Sequence, residues 1–318
     1  VLFFRILLGL IIVNTLALLL FPFYARENNK LKNGLAKALI MLVSCATITV
    51  VIYSLFPEDQ LASEFFRSGI AQKEVEPERI LIDRYEIVSL SPNELNNLLT
   101  KRKTPYLLEL HDIKPSHADN LSNIIKNSTL INSLSLSRLQ EKTPTQVYKA
   151  LGNNNSITSI YINDCLNCIN DMKPDIQWPN NLKVFSVTSS QLNMRAIENI
   201  NIPPDIKTLI IEQCTLNTNN IKNILNKLPN GLKRVSFSHN KLTSSSIELL
   251  IPWFLENTDL EYIDISYNKI TERGLVNLLE TMSKQSNVKE IILSKNATTS
   301  TFDGKIKNYK GMVKNDQS

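Results

Sequence analysis

Cys165-Leu166-Asn167-Cys168 is a C-x-x-C pair, the spacing of a dithiol redox couple or of half a tetrahedral zinc site. The chain has only four cysteines, and with Cys45 and Cys214 far off in sequence no second pair completes a four-ligand set. The spacing therefore favours structural cysteines, with a Cys165–Cys168 disulfide open to an oxidising compartment. His111, His117 and His239 are the only histidines and lie well apart. Serines are plentiful enough to build a Ser-His-Asp relay by counting, but no nucleophile-elbow motif holds one on a strained strand-to-helix turn. No set of catalytic roles can be filled, so the sequence assigns no catalytic residue, no metal ligand and no cofactor.

The elements that must position these residues are bounded by composition. The 318 residues are 43% hydrophobic and 20% charged, enough to bury a core and too apolar for a disordered chain. Eight glycines exclude collagen-like sequence and a Gly-rich nucleotide-binding architecture. The net charge of +5 is concentrated at one end. Residues 1–56 hold Arg5, Arg26, Lys30, Lys32 and Lys37 against Glu27, a balance of +4 that leaves about +1 for residues 57–318. A nucleic-acid partner would need Lys and Arg massed on one face, so that class is excluded as an expectation.

Two apolar runs open the chain, at residues 6–24 and 36–56, each near the roughly 20 residues that cross a bilayer core as a helix. They predict a transmembrane hairpin and contact with membrane lipid. Leu42-Val43-Ser44-Cys45 has the look of a lipoprotein cleavage box, but the apolar residues after Cys45 favour a buried helical cysteine. The basic connector, with Arg26, Lys30 and Lys32, should face the cytoplasm. Both termini would then lie outside, in the periplasm of a bacterial inner membrane. Residues 57–79 read as a polar juxtamembrane linker.

The remainder repeats itself. Leu182, Phe185, Val187, Ser190 and Leu192 are followed at the same offsets by Ile206, Leu209, Ile211, Cys214 and Leu216. Leu232, Val235, Phe237, Asn240 and Leu242 form the next unit, then Leu260, Ile263, Ile265, Asn268 and Ile270, then Val288, Ile291, Leu293 and Asn296. Weaker copies precede them: Ile157, Ile160, Ile162 and Cys165; Ile131, Leu134 and Leu136 with Leu139; and degenerate Leu108-Glu-Leu110 and Leu81-Ile-Asp. Unit starts from Ile131 to Val288 are 24 to 28 residues apart. Each unit alternates as a short strand with two inward side chains. The intervening Thr243–Glu256 and Thr271–Lys284 space apolar residues as amphipathic helices, through Ile247, Leu250, Ile251 and Phe254 and through Leu275, Leu278 and Leu279. One unit cannot bury its own core, so neighbours must stack.

This pattern resembles the leucine-rich repeat, L-x-x-L-x-L-x-x-N/C-x-L, nearest the ribonuclease-inhibitor-like type with a helix in each unit, over residues 80–298. The resemblance implies an α/β solenoid with parallel strands on a concave face and helices on a convex one. It also implies an inward ladder of Cys165, Cys214, Asn240, Asn268 and Asn296 serving backbone groups at the strand exits. Trp178-Pro-Asn-Asn-Leu182, Ile202-Pro-Pro-Asp-Ile206 and Leu228-Pro-Asn-Gly-Leu232 are similar to the L-P-x-x-L lead-in of bacterial effector repeats. Some of those effectors are ubiquitin ligases whose catalytic cysteine lies in a further C-terminal domain. Only about twenty residues follow the last repeat here, and residues 299–318 are expected to fray beyond a short cap.

Function is expected on the concave strand face, where small hydroxyl residues alternate with larger groups. Tyr161, Glu212, Arg234, Tyr262 and Asp264, with Tyr267 just beyond, are types that anchor protein interfaces. The expectation is a membrane-anchored solenoid that binds a protein partner and is not an enzyme. The alternatives are a secreted bacterial effector whose hairpin enters a host membrane, and a hydrolase using Ser and His of the same face.

Overall fold

The computed structural model describes residues 78–82, 94, 97–99 and 101–314, with 141, 174, 285, 286, 300, 301 and 310 excepted. The two apolar runs at residues 6–24 and 36–56, with Cys45, lie outside the described residues. Among those that are described, no helix is long and apolar enough to cross a membrane.

Ten parallel strands form one sheet in which each strand pairs with the next in the chain. They are β1 (Glu78–Ile82), β2 (Tyr106–His111), β3 (Ile131–Ser137), β4 (Ser159–Asn163), β5 (Val184–Thr188), β6 (Thr208–Glu212), β7 (Arg234–Ser236), β8 (Tyr262–Asp264), β9 (Glu290–Ile292) and β10 (Val313–Lys314). Helices alternate with the strands: α1 (Pro115–Asn127), α2 (Thr143–Leu151), α3 (Leu166–Asn170), α4 (Met194–Asn199), α5 (Thr218–Ile224), α6 (Ser244–Glu256), α7 (Glu272–Met282) and α8 (Phe302–Lys305). Strand then helix, always advancing to the neighbouring strand, is a solenoid-like α/β arrangement.

The repeat positions become columns. Leu108, Leu134, Ile160, Phe185, Leu209, Val235, Ile263 and Ile291 are register partners across eight strands. All are fully buried, as are Leu110, Leu136, Ile162, Val187, Ile211, Phe237, Ile265 and Leu293 two residues on. Burying each such side chain contributes about 1.5–3 kcal/mol, and the stacking supplies the partner that a lone unit lacks. The helices close the other side of this core. On α7, Leu275, Leu278 and Leu279 face inward as their spacing requires. On α6, Ile247, Leu250 and Phe254 do so too, but Trp253 rather than Ile251 is buried, its indole N–H donating to the Pro229 carbonyl. Gly274 lets α7 approach α6: a Cβ there would lie 2.4 Å from Ser244 Oγ and 2.7 Å from its Cβ.

Both ends of the array differ from the sequence expectation. In β1 the inward residues are Ile80 and Ile82, while Leu81 is 47% exposed. Register with Leu108 and Leu110 fixes this phase, one residue away from Leu81-Ile-Asp. At the other end the chain after residue 298 does not simply fray. Phe302 and Ile306 are buried over the last repeat, and β10 pairs with β9. The tail is a cap whose apolar residues fall off the repeat spacing.

From β2 to β9 each unit turns off its strand through a left-handed residue, and none of these eight is glycine. Asp112, Arg138, Asp164, Ser189, Gln213, His239, Tyr267 and Lys295 all have φ between 47° and 56°. Six of their amide N–H groups reach forward to the next unit, as from Asp164 to Thr188 and from His239 to Ser266. That backbone geometry costs a residue with a Cβ about 1 kcal/mol or more. Lys295→Gly is therefore expected to raise the melting temperature by about 2 °C, against the unfolded-state entropy that glycine adds. Lys295→Ala is the control and should melt with the wild type; equal melting of the glycine variant would show that the corner holds no strain.

Candidate functional site

The turn after each strand is held by an inward polar side chain. Asn240 Oδ1 accepts from the amides of Cys214 (3.1 Å) and Leu216 (3.0 Å), and its Nδ2 donates to the carbonyls of Ile211, Phe237 and Ser238. Asn268 repeats this one unit later, accepting from Leu242 and donating to Phe237, Ile265 and Ser266. Asn296 accepts from Ile270 and donates to Ile265 and Leu293. Ser190 sits where the template has Asn or Cys, and its hydroxyl accepts from the Cys165 amide at 3.0 Å while donating to the Thr188 carbonyl. A short hydroxyl thus serves the same backbone groups.

Cys214 lies in this ladder as a buried thiol donating to the carbonyls of Glu212 and Val187. Burial pushes the thiol up to about 12, which withholds the thiolate that nucleophilic or metal chemistry needs. Cys165 and Cys168 are joined in a disulfide that ties the residue capping α3 to the helix itself, and Tyr148 donates its hydroxyl to the Cys168 carbonyl at 2.6 Å. Among the described residues no group of three His, Cys, Asp or Glu could hold a metal ion. A second ladder escaped the sequence reading. Asn154 and Asn257, each three residues before a unit's first apolar position, are buried and bond the backbone ahead of the strand. The recurrent N-x-x-I/L in Asn154–Ile157 and Asn257–Leu260 is the signal that could have found them.

The outer face of the sheet is lined by small residues joined to one another. Asn163 donates to Ser135 Oγ at 3.0 Å and Thr188 Oγ1 to Asn163 Oδ1 at 2.6 Å, a chain across β3, β4 and β5. Tyr161 stands half-buried beside it, between Ser135 and Ser186 in register. Thr208, Arg234, Tyr262 and Glu290 form one row across β6 to β9. Within it the Arg234 guanidinium lies 5.2 Å from the centre of the Tyr262 ring, a cation–aromatic pair with both members half-buried.

Glu212 and Asp264, expected as projecting anchors, are only 2% and 5% exposed. The strand face shades them, and hydroxyls satisfy them. Ser236 donates to Glu212 Oε1, and the amide and hydroxyl of Ser266 donate to Asp264 Oδ1 at 2.9 and 2.7 Å. Burial pushes the Glu212 carboxyl up to about 7 and Asp264 up to about 6. Burial likewise raises the Tyr262 hydroxyl, helped by the charges of Asp264 and Glu290. Tyr267 is 46% exposed and stacked on His239, ring centres 3.9 Å apart. That pair belongs to the left-handed corner row, beside the strand face rather than on it. His111 and His117 lie on β2 and α1, separate from it.

No protein family's model matches this chain, and no curated protein does. Among solved structures 55 chains resemble it. One is a Bacteroides fragilis protein solved by the Northeast Structural Genomics Consortium, 14% identical, covering 77% of this chain and 82% of that one at a TM-score of 0.39.

Proposed function

We infer that this chain is a leucine-rich repeat protein of the helix-bearing type, displayed at a membrane by its N-terminal apolar hairpin and binding a protein through the concave strand face. The repeat assignment is supported by the in-register columns and by the asparagine ladder at the strand exits. The observation that carries the binding assignment is the Arg234–Tyr262 pair, half-exposed on the strand face beside the small residues Thr208 and Ser236. Large aromatic and arginine side chains on a flat ground are where interface energy concentrates. Tyr161 extends that set along the face and Tyr267 stands at its margin in the corner row, whereas Glu212 and Asp264 shape the face from below.

The test is site-specific photo-crosslinking in cells, with the reactive residue at Val184 or Glu290 on the strand face and, for contrast, at Glu248 on α6. Crosslinks from the strand face, lost in a Tyr161→Ala/Arg234→Ala/Tyr262→Ala variant that still folds, are expected. Equal crosslinking from Glu248 would overturn the choice of face. Phosphatase and fluorescent-protein fusions after Ser318 test the display: phosphatase activity without fluorescence is expected of repeats outside the inner membrane.

A second reading, a secreted effector with its repeats in host cytosol, draws on the proline lead-ins before β5, β6 and β7, where the Leu182 amide closes a turn on the Pro179 carbonyl. A hydrolase ranks third. Ser238 Oγ lies 3.2 Å from His239 Nδ1, but Glu212 bonds this serine instead of backing the imidazole, so the order of a relay is inverted.

A further inference from the structure

Glu212 and Asp264 stand out among the buried groups because nothing cationic neutralises them. Among the described residues neither forms an ion pair. The groups around them are the Cys214 thiol in the turn after β6, Arg234 at the start of β7, His239 in the corner after β7, Tyr262 on β8, Tyr267 in the corner after it and Glu290 on β9. Arg234, the one cation of that set, lies against the Tyr262 ring. Ser236, in register with Asp264, donates to Glu212, and the Ser238 amide donates to Ser236 Oγ at 3.3 Å. Two carboxyls are therefore set into β6 and β8 with β7 between them, and among the described residues the bonds they accept come from serine hydroxyls and the Ser266 amide. The strands here are also short: β7, β8 and β9 have three residues each, against seven in β3.

We propose that Glu212 and Asp264, on either side of Ser236, form a proton-operated latch across β6, β7 and β8, closed when they are protonated and loosened when both ionise. In the protonated state neither carboxyl carries a charge, and their carboxyl oxygens still accept from Ser236 and Ser266. Ionisation places two buried like charges on either side of β7, with Glu290 as a third, and with no cation paired to them each charge is costly to bury. The sign follows from the shifts. A carboxyl whose folded value is raised binds a proton in the native state that the unfolded chain has released, so its stabilisation is full in acid. It is lost as pH rises from the ordinary carboxylate range through about 6 and 7. The pair titrates jointly, with apparent midpoints that belong to both residues.

The test is amide hydrogen exchange on the full chain at pH 5 and pH 8, comparing wild type with Glu212→Gln/Asp264→Asn at each pH so that intrinsic exchange cancels. Peptides covering residues 208–216, 234–240 and 262–268 should exchange alike at pH 5. At pH 8 they should exchange at least tenfold faster in wild type, while residues 131–137 match throughout. Equal rates in the two proteins at both pH values would overturn the latch. If the double variant does not fold, Ser236→Ala serves instead. Losing a hydrogen bond that favours the ionised carboxylate should move the onset of loosening up by about one pH unit, and an unmoved onset would overturn it. No partner is needed for this readout, so the latch and the binding assignment stand or fall separately.

Discussion

Asn240→Ala is expected to destabilise the repeat region by about 3–5 kcal/mol. The side chain is buried and serves the amides of Cys214 and Leu216 and the carbonyls of Ile211, Phe237 and Ser238. Alanine leaves those groups without water or partner, and a buried unsatisfied donor or acceptor costs about 1–3 kcal/mol. A domain of ordinary stability holds about 5–15 kcal/mol in total, so one substitution removes a large share. The melting temperature should fall by about 10 °C. Asn296→Ala, at a half-buried position bonding three backbone groups, should cost less than half as much. Thermal melting of the two variants decides the matter: if Asn240→Ala melts within 2 °C of wild type, the ladder does not hold the turns.

Phe237→Ala should cost about as much by another route. Its ring is fully buried in the second inward column, 6.3 Å from the Trp253 ring on α6. Truncating such a residue forfeits its transfer free energy and leaves a cavity, about 3–5 kcal/mol in all. Its carbonyl also accepts from both Asn240 and Asn268. The cavity and the ladder thus share a backbone segment, and the two losses should couple. The Asn240→Ala/Phe237→Ala double variant is expected to lose less than the sum of the singles, because the second substitution falls in a turn already loosened. Phe237→Leu keeps most of the volume and should cost no more than about 1.5 kcal/mol. Urea denaturation of the four proteins measures the cycle; strict additivity would show that the turn and the column are independent.

What the sequence disclosed and what it hid have physical reasons. Spacing gave the columns directly, since a period of 24 to 28 residues with two alternate apolar positions leaves one way to stack. It gave Asn240, Asn268 and Asn296 because their role demands an amide at one offset. Ser190 was legible only as an exception, because a hydroxyl meets the same backbone when the chain comes close enough. The phase of β1 was ambiguous between Ile80 and Leu81, both apolar, and only register with β2 selects it. The burial of Glu212 and Asp264 was invisible: an outward position on a strand says nothing about how neighbouring rows shade it. The corner row was invisible too. Left-handed turns usually announce themselves by glycine or asparagine, and here the types run from Arg138 to Tyr267.

The strand that closes the array has a consequence for how these molecules meet one another. A stack of identical-looking units ends in a row of open backbone donors and acceptors, a template on which a second molecule can continue the sheet. β10 presents only two residues of strand, Val313 and Lys314, where β3 would present seven. Phe302 and Ile306 meanwhile roof the last hydrophobic layer. At this end, growth from molecule to molecule is denied both its hydrogen-bonding edge and its sticky surface. Sheet growth from this edge would have two residues of backbone to pair with and a covered apolar layer to displace.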